Sequence, residues 1–241
     1  MEARKSSVLL VLVLFVGCAS ARPIVPVSET LETSTPMLVE RNRSGLGPKP
    51  LRFGEWQVNG FDRKGLPSSR KRSAGNAHVS YSQTNAFAAY SFRLTPATRD
   101  EWTCDCEFRR KEQSAGLGSP SDALEVQLTY EDSFRCDLLR AGDTEPWKLE
   151  VYGSLRIGGE GYSGTLSRGS RSLTLEPSHQ IRGLPRVPSP PFGYVFLREG
   201  RELANVELIH PGFVRVLDEA GADRDLIAAA AASLLLNPSG F

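Results

Sequence analysis

Near the C-terminus, residues 226–236 have the sequence Leu-Ile-Ala-Ala-Ala-Ala-Ala-Ser-Leu-Leu-Leu. Alanine and leucine favour the α-helix, and the run has no polar stripe apart from a single serine. Asp223 and Asp225 stand at its start, where carboxylates can cap free amides and oppose the helix dipole, and Asn237-Pro238 follows it. Such a helix is too short to cross a bilayer and must be buried around its whole circumference. The rest of the chain therefore has to enclose it.

The part of the chain before this helix is dominated by alternating apolar and polar residues, the pattern of β-strands with one buried face. The alternation is clear in residues 88–94, 102–108 and 124–130. Glycine-containing turns separate the later strands, because glycine supplies the positive φ that tight turns require. The sequence predicts a mainly β fold, an antiparallel meander that closes into a barrel or a curved sheet, with the hydrophobic C-terminal helix buried against it.

The N-terminal region has a different composition. Two basic residues precede the apolar run Val8–Val16, which is far shorter than a membrane-spanning helix and is typical of a signal peptide. Residues 1–17 are therefore predicted to be a signal peptide. Residues 18–50 are rich in proline, serine and threonine and lack apolar periodicity, which predicts a disordered tether. Residues 51–241 are predicted to form a single β-rich domain.

The sequence Leu-Phe-Val-Gly-Cys at residues 14–18 resembles the lipobox of bacterial lipoproteins, although Phe15 stands where that family usually has leucine. The resemblance implies cleavage before Cys18, a diacylglycerol on its thiol and a further acyl chain, such as palmitate, on its amine. Two or more acyl chains anchor a protein stably. It also implies a place in the cell envelope, and the absence of aspartate after the cysteine favours the outer membrane. The alternative is an ordinary signal peptide cleaved near residues 19–21.

The order of the folded part resembles the C-terminal domains of tubby-like and plant LURP-one-related proteins. In those domains many meandering strands precede a hydrophobic helix that threads the closed barrel. Residues 194–217 and 225–236 carry this likeness. It implies a barrel around the helix. The phosphoinositide-binding basic residues of tubby proteins have no matching positions in this sequence, so none is transferred.

Three cysteines remain after Cys18. Cys104 and Cys106 lie on one face of a predicted strand, and Cys136 lies in a neighbouring one. In an oxidising compartment we expect one disulfide from Cys136 to either of the other two, with one thiol left over. A redox or metal site is the alternative, but none of the three histidines lies at ligand spacing from the cysteines. No metal site is predicted.

No catalytic residue or cofactor is predicted. The chain lacks Gly-x-Ser-x-Gly, His-Glu-x-x-His and a phosphate-binding loop, and the glycines of residues 159–164 are followed by a strand instead of the helix that a dinucleotide site needs. We therefore expect a non-catalytic structural or binding role. One alternative is a carrier of a lipid or another hydrophobic ligand in the barrel lumen. The other is an envelope enzyme that uses carboxylates or the remaining thiol.

The charge pattern suggests partners only weakly. A formal net charge of +1 gives no reason to expect nucleic-acid binding. A predicted loop with five basic residues could contact phosphate head groups or an acidic partner, or simply be solvated. These residues are Arg63, Lys64, Arg70, Lys71 and Arg72. The expected partners are a membrane, through the lipid at Cys18, and an unknown envelope protein or hydrophobic ligand.

Overall fold

The computed structural model describes residues 22–41, 51–64, 68–75, 79–96, 100–117, 124–156, 159–184 and 190–237. The predicted signal peptide and Cys18 lie outside the described residues, so the structure does not bear on the anchor.

The described residues form one antiparallel sheet of fourteen strands, with helices near both ends of the chain. The strands are β1 (Met37–Leu38), β2 (Glu40–Arg41), β3 (Leu51–Phe53), β4 (Trp56–Arg63), β5 (Ser68–Gly75), β6 (Val79–Thr95), β7 (Trp102–Leu117), β8 (Leu124–Arg140), β9 (Trp147–Arg156), β10 (Gly159–Arg168), β11 (Arg171–Ser178), β12 (Gly193–Arg198), β13 (Arg201–Glu207) and β14 (Phe213–Val216). The helices are α1 (Glu29–Glu32), a 3₁₀ helix (Asp218–Asp223) and α2 (Arg224–Leu236).

Thirteen of these strands follow one another around a nearly closed barrel. From β6 to β14 the order in the sheet is the order in the chain, with β4, β3 and β2 on the other side of β6, and β5 attached to β6 outside this path. The two edge strands of the path, β1 and β2, are neighbours in the chain. Between them the amide of Val39 donates to the carbonyl of Gly212 at 3.0 Å. The predicted fold class is confirmed: a mainly β, antiparallel meander in a nearly closed barrel with a C-terminal helix.

Helix α2 lies in the core that the strands enclose. Its five consecutive alanines have no exposed surface, which explains why the helix needs no polar face. Polar groups of the barrel that would otherwise be buried without partners bond to the helix. The hydroxyl of Tyr90 donates to the carbonyl of Ser233 at 2.6 Å, and the indole Nε1 of Trp56 donates to Asp225 at 2.9 Å. These bonds hold the helix in register with the strands.

The start of this helix differs from the prediction in one respect. Asp223 occupies the N-cap position, but its side chain makes no capping hydrogen bond. Its buried carboxylate instead pairs with Arg171 of β11, at 2.9 Å, and with Arg198 of β12. Capping by Asp223 was therefore a wrong expectation, because two guanidinium groups from the barrel wall offer the carboxylate stronger partners than a backbone amide does.

The prediction of a disordered tether is wrong for residues 22–41, which pack on the barrel. Val25, Leu31 and Val39 are buried, and α1 begins after Ser28, whose hydroxyl accepts from the amide of Leu31. The buried apolar side chains are too far apart in sequence to produce a helical or strand period. They are buried singly and not as a repeating face, so their packing left no periodic signal.

A buried carboxylate binds this N-terminal segment to the barrel. Glu207 of β13 accepts the amide of Ile24 at 3.1 Å and that of Val25 at 3.1 Å. Burial raises the pKa of Glu207, although the two amides and the nearby Arg215 act in the opposite direction. The segment is therefore held by directional polar contacts as well as by its apolar side chains.

Candidate binding groove

Three strands of the barrel are much longer than the helix inside it. Strands β6, β7 and β8 have 17, 16 and 17 residues, whereas α2 has 13. At about 3.3 Å per residue a strand of this size is roughly 55 Å long, against about 20 Å for the helix. The strands therefore continue beyond the end of the helix. We call this part of β6 to β10, together with β5, the extension.

On the inner face of the extension the side chains change from apolar to polar. In β7, Phe108 is followed two residues later by Arg110, and in β8, Phe134 is preceded two residues earlier by Asp132. Arg110 forms two hydrogen bonds with Asp132, at 3.0 and 3.2 Å, and the hydroxyl of Tyr130 bonds to both. Burial opposes the charge of Arg110, but bonding to Asp132 outweighs it and raises its pKa. These three groups serve as hydrogen-bond partners for one another, and the bonds between Arg110 and Asp132 link β7 to β8.

A small cavity lies beside this polar group, at the C-terminal end of α2. Its volume is about 10 Å³, and its lining includes Asp132, Tyr162, Tyr194 and Leu234. A cavity of this size has room for about one water molecule. It is far too small for a lipid.

The outer face of the extension carries a much larger concavity, of about 1110 Å³, which we call the outer groove. Its lining comes mainly from two cross-strand rows, in which paired residues of neighbouring strands point to the same face. The first row, from β5 to β10, is Ser68, Phe87, Arg109, Ser133, Tyr152 and Ser163. The second row is Arg70, Asn85, Lys111, Glu131, Ser154 and Gly161.

Two aromatic rings in the first row are exposed. Phe87 and Tyr152 are 37% and 41% exposed. They lie three strands apart, or about 14 Å at the usual strand spacing. The Tyr152 hydroxyl accepts from Arg135 at 2.7 Å and donates to Glu150 at 3.3 Å, so its ring has a defined position. The guanidinium groups of Arg109 and Arg135 lie over these rings, 5.8 and 5.7 Å from the centroids, so a ligand can reach at most one face of each ring.

The charges of the groove are predominantly positive. Among its described outward-facing residues are three cations, Arg70, Arg109 and Lys111, and one carboxylate, Glu131. In the described part of the chain, neither Arg70 nor Lys111 has an ion-pair partner, whereas Arg109 pairs with Glu107. Unpaired cations next to exposed rings suit an anionic ligand.

The structure places the five predicted basic residues mostly in strands. Arg63 is the last residue of β4, Lys64 follows it, and Arg70, Lys71 and Arg72 lie in β5. The expectation of a loop was therefore wrong for four of them. Strand β5 is an edge strand beside β6, and exposed edges tolerate and even favour long basic side chains.

Strand alternation separates these basic residues. The register of β5 with β6 places Arg70 and Arg72 on the outer face of the sheet and Lys71 on the inner face. Lys64 forms an ion pair with Asp105 on the outer face of the barrel body. Only Arg70 of the five lines the outer groove. Contact with an acidic partner stays a prediction for these residues.

The structure chooses between the two cysteine pairings that the sequence left open. Cys106 of β7 lies opposite Cys136 of β8, and the two form a disulfide. Cys104 lies opposite Leu138 and stays a free thiol. It has no exposed surface, and burial raises its pKa well above the ordinary range. A reactive cysteine needs an accessible thiolate, so this thiol is unsuited to nucleophilic catalysis.

The other main residues of the groove, which no sequence pattern indicated, are Phe87, Arg109, Lys111 and Tyr152. All four lie outside residues 88–94, 102–108 and 124–130, on which the alternation was argued, and single exposed polar or aromatic residues are unremarkable. A signal was nevertheless available. On the inward-facing side of β7 the residues after Phe108 are no longer apolar. This change indicates where the strand extends beyond the end of the helix.

Comparison of the chain with protein-family models gave no match, and comparisons with curated proteins and with solved structures gave none either. The protein is therefore characterised by its architecture, a nearly closed antiparallel barrel with a C-terminal helix. Within the described ranges no helix has the length and apolar character needed to cross a membrane. In the same residues no three histidine, cysteine or acidic side chains come together as ligands for a metal ion.

Proposed function

We propose that this protein is a lipid-anchored protein of the bacterial cell envelope with a non-catalytic binding role, and that the outer groove is its binding surface. The anchor is supported by the lipobox-like residues 14–18, with acylated Cys18 holding the protein at a membrane and the outer membrane favoured. The likeness to tubby-like and LURP-one-related domains concerns architecture, and we transfer no ligand from it.

One observation carries the binding role: a ligand-sized space lies on the outer face of the extension, with more than twice the volume of three other concavities, of about 460 to 480 Å³, among the described residues. Small-molecule sites typically measure about 300 to 1000 Å³. The outer groove is in this range or slightly above it, at about 1110 Å³, whereas the cavity beside the end of α2 measures about 10 Å³. Helix α2 occupies the space that a hydrophobic-ligand carrier would use, so the groove supports binding better than the lumen does.

The anchor is tested by intact-mass spectrometry of protein purified from the membranes of its own host. We expect a mature N-terminus at Cys18 with the added mass of acyl chains, and Cys18→Ala should be unacylated and released from the membrane. An unacylated native N-terminus, or membrane retention of Cys18→Ala, would overturn the anchor.

The groove is tested by co-sedimentation with washed envelope fragments of the same host, with Cys18→Ala in every form of the chain so that no acyl anchor holds the protein to the membrane. The double variant Arg70→Glu/Lys111→Glu reverses both unpaired charges of the groove. Lys148→Glu is the control, because Lys148 is exposed on β9 outside the groove. We expect the double variant to remain in the supernatant and the control to sediment like the wild type. Equal sedimentation of all three, or a stoichiometric lipid in solvent extracts of the purified protein, would refute the groove and favour the carrier.

A further inference from the structure

Two of the three outward-facing cations of the outer groove, Arg70 and Lys111, differ from other cations on the same face of the sheet. Nearer the barrel body, Lys64 pairs with Asp105, and Arg135 pairs with Glu150 at 3.4 Å. Within the described residues Arg70 and Lys111 have no such partner. Unpaired cations in a concave surface raise the local concentration of anions. The outward-facing lining of the groove therefore keeps a net positive charge, with three cations against Glu131, which lies opposite Lys111 in the register.

Much of the remaining groove lining consists of small neutral hydrogen-bonding groups. The serine hydroxyls and the amide of its two rows can both donate and accept hydrogen bonds. These residues are Ser68, Asn85, Ser133, Ser154 and Ser163. Such groups suit a ligand with many hydroxyls. They offer little to a lipid chain, which needs a continuous apolar wall.

The two rings complete this pattern. Phe87 on β6 and Tyr152 on β9 lie about three strand spacings apart, and Tyr152 is fixed by Arg135 and Glu150. Arg109 lies over the Phe87 ring and Arg135 over the Tyr152 ring, so a sugar would pack on the opposite face of each ring. The faces of sugar rings carry C–H groups that pack on aromatic surfaces, while their hydroxyls bond at the edges. A chain that combines sugar rings, hydroxyls and regularly spaced anions matches all three features.

We propose that the outer groove binds a segment of acidic polysaccharide that runs across the strands, with sugar rings against Phe87 and Tyr152 and anionic substituents at Arg70 and Lys111. This inference rests on the proposed function and names the ligand class of the same groove. A single-stranded nucleic acid would also use rings and cations. The serine hydroxyls of the lining favour the polysaccharide, which offers hydroxyls on every sugar, whereas Glu131 and the net charge of +1 act equally against both polyanions.

The experiment measures binding of the full chain to three dextrans of equal length by biolayer interferometry: uncharged dextran, carboxymethyl dextran and dextran sulfate. We expect at least one charged form to bind and the uncharged form to bind at least tenfold more weakly. A single-stranded oligothymidylate is the fourth probe. The proposal is overturned if neither charged dextran binds better than the uncharged one, or if the oligonucleotide binds better than both.

Two matched pairs of variants test the assigned contacts. Lys111→Gln should weaken binding about tenfold, the effect of losing one charge-assisted hydrogen bond. Lys148→Gln removes the same charge outside the groove and should change binding less than twofold. Tyr152→Ala should abolish most binding, and Tyr152→Phe, which keeps the ring, should retain it. Equal losses for Lys111→Gln and Lys148→Gln would show non-specific attraction and refute the inference.

The two proposals can fail separately. If the charge-reversed double variant no longer binds envelope fragments but no charged dextran binds the wild type, the groove remains the binding surface and the ligand class is wrong. If a charged dextran binds through Lys111 but envelope fragments do not sediment the protein, the chemistry of the groove stands and the proposed function fails. Urea unfolding curves of each variant establish that a loss of binding is not a loss of folding.

Discussion

Replacing Ala230 by leucine tests whether α2 is enclosed by the barrel. Ala230 lies in the middle of the helix and has no exposed surface. Leucine adds three carbon atoms at a site surrounded by packed protein, where overpacking typically costs about 1 to 3 kcal/mol. The helix propensities of alanine and leucine are similar, so that nearly all of this cost comes from packing.

The reverse substitution should also destabilise the protein. Leu234 is 2% exposed and lines the small cavity with Phe134 and Tyr194. Leu234→Ala removes buried carbon atoms and enlarges that cavity, at a cost of about 2 to 5 kcal/mol. Together the two variants predict that the helix tolerates neither a larger nor a smaller side chain.

Both variants are measured by urea unfolding of the full chain, followed by tryptophan fluorescence and by far-ultraviolet circular dichroism. For a domain of this size each kcal/mol corresponds to a melting temperature lower by about 2 to 4 °C. Ala222→Leu is the control, because Ala222 is exposed just before the helix, and its effect should stay within about 0.5 kcal/mol. If Ala230→Leu were as stable as the control, the helix would lie on a surface and the enclosed arrangement would be wrong.

Three further predictions concern the cysteines and the N-terminal segment. Cys136→Ala should lower the free energy of unfolding by about 3.5 kcal/mol, the loop-entropy value for a disulfide between cysteines 30 residues apart. An unchanged free energy of unfolding would contradict a native disulfide between Cys136 and Cys106. Reduction of the wild-type protein should increase its mass by two daltons. Cys104 should resist iodoacetamide in the native protein and react in urea, because burial raises its pKa, and rapid native labelling would refute that burial. Because burial also raises the pKa of Glu207, the folded state binds that proton more tightly than the unfolded state. This contribution to stability is full below the ordinary carboxyl range and is lost as the pH rises through the folded-state pKa. Glu207→Gln should flatten this part of the stability–pH profile, and an unchanged slope in urea titrations at several pH values would contradict the assignment.

The fold class followed from local patterns. The helix was predictable because residues 226–236 are apolar on every side, and the strands because their residues alternate. Both patterns depend on residues a few positions apart, where backbone geometry alone decides which side chains share a face. An apolar helix of this length must be buried by surrounding elements, and the amphipathic strands of the meander are the elements that can bury it.

The docking of residues 22–41 was not predictable in this way. Their buried residues include Val25, Leu31 and Val39, which are separated by polar and proline-rich stretches. The amides of Ile24 and Val25 bond to Glu207, which is more than 180 residues away, and the amide of Val39 bonds to the carbonyl of Gly212. No local period accompanies such contacts.

The sequence by itself determined which faces of the strands are buried, where the helix lies and that one disulfide was available. Only the tertiary structure decided that Cys106 rather than Cys104 pairs with Cys136, and that Phe87, Lys111 and Tyr152 share one groove. The reason is the register of the strands. Alternation assigns a side chain to a face, but turns, bulges and the closure of the whole barrel decide which residues of neighbouring strands lie opposite one another. A shift of the register by two residues would keep every side chain on its face and change every cross-strand pair.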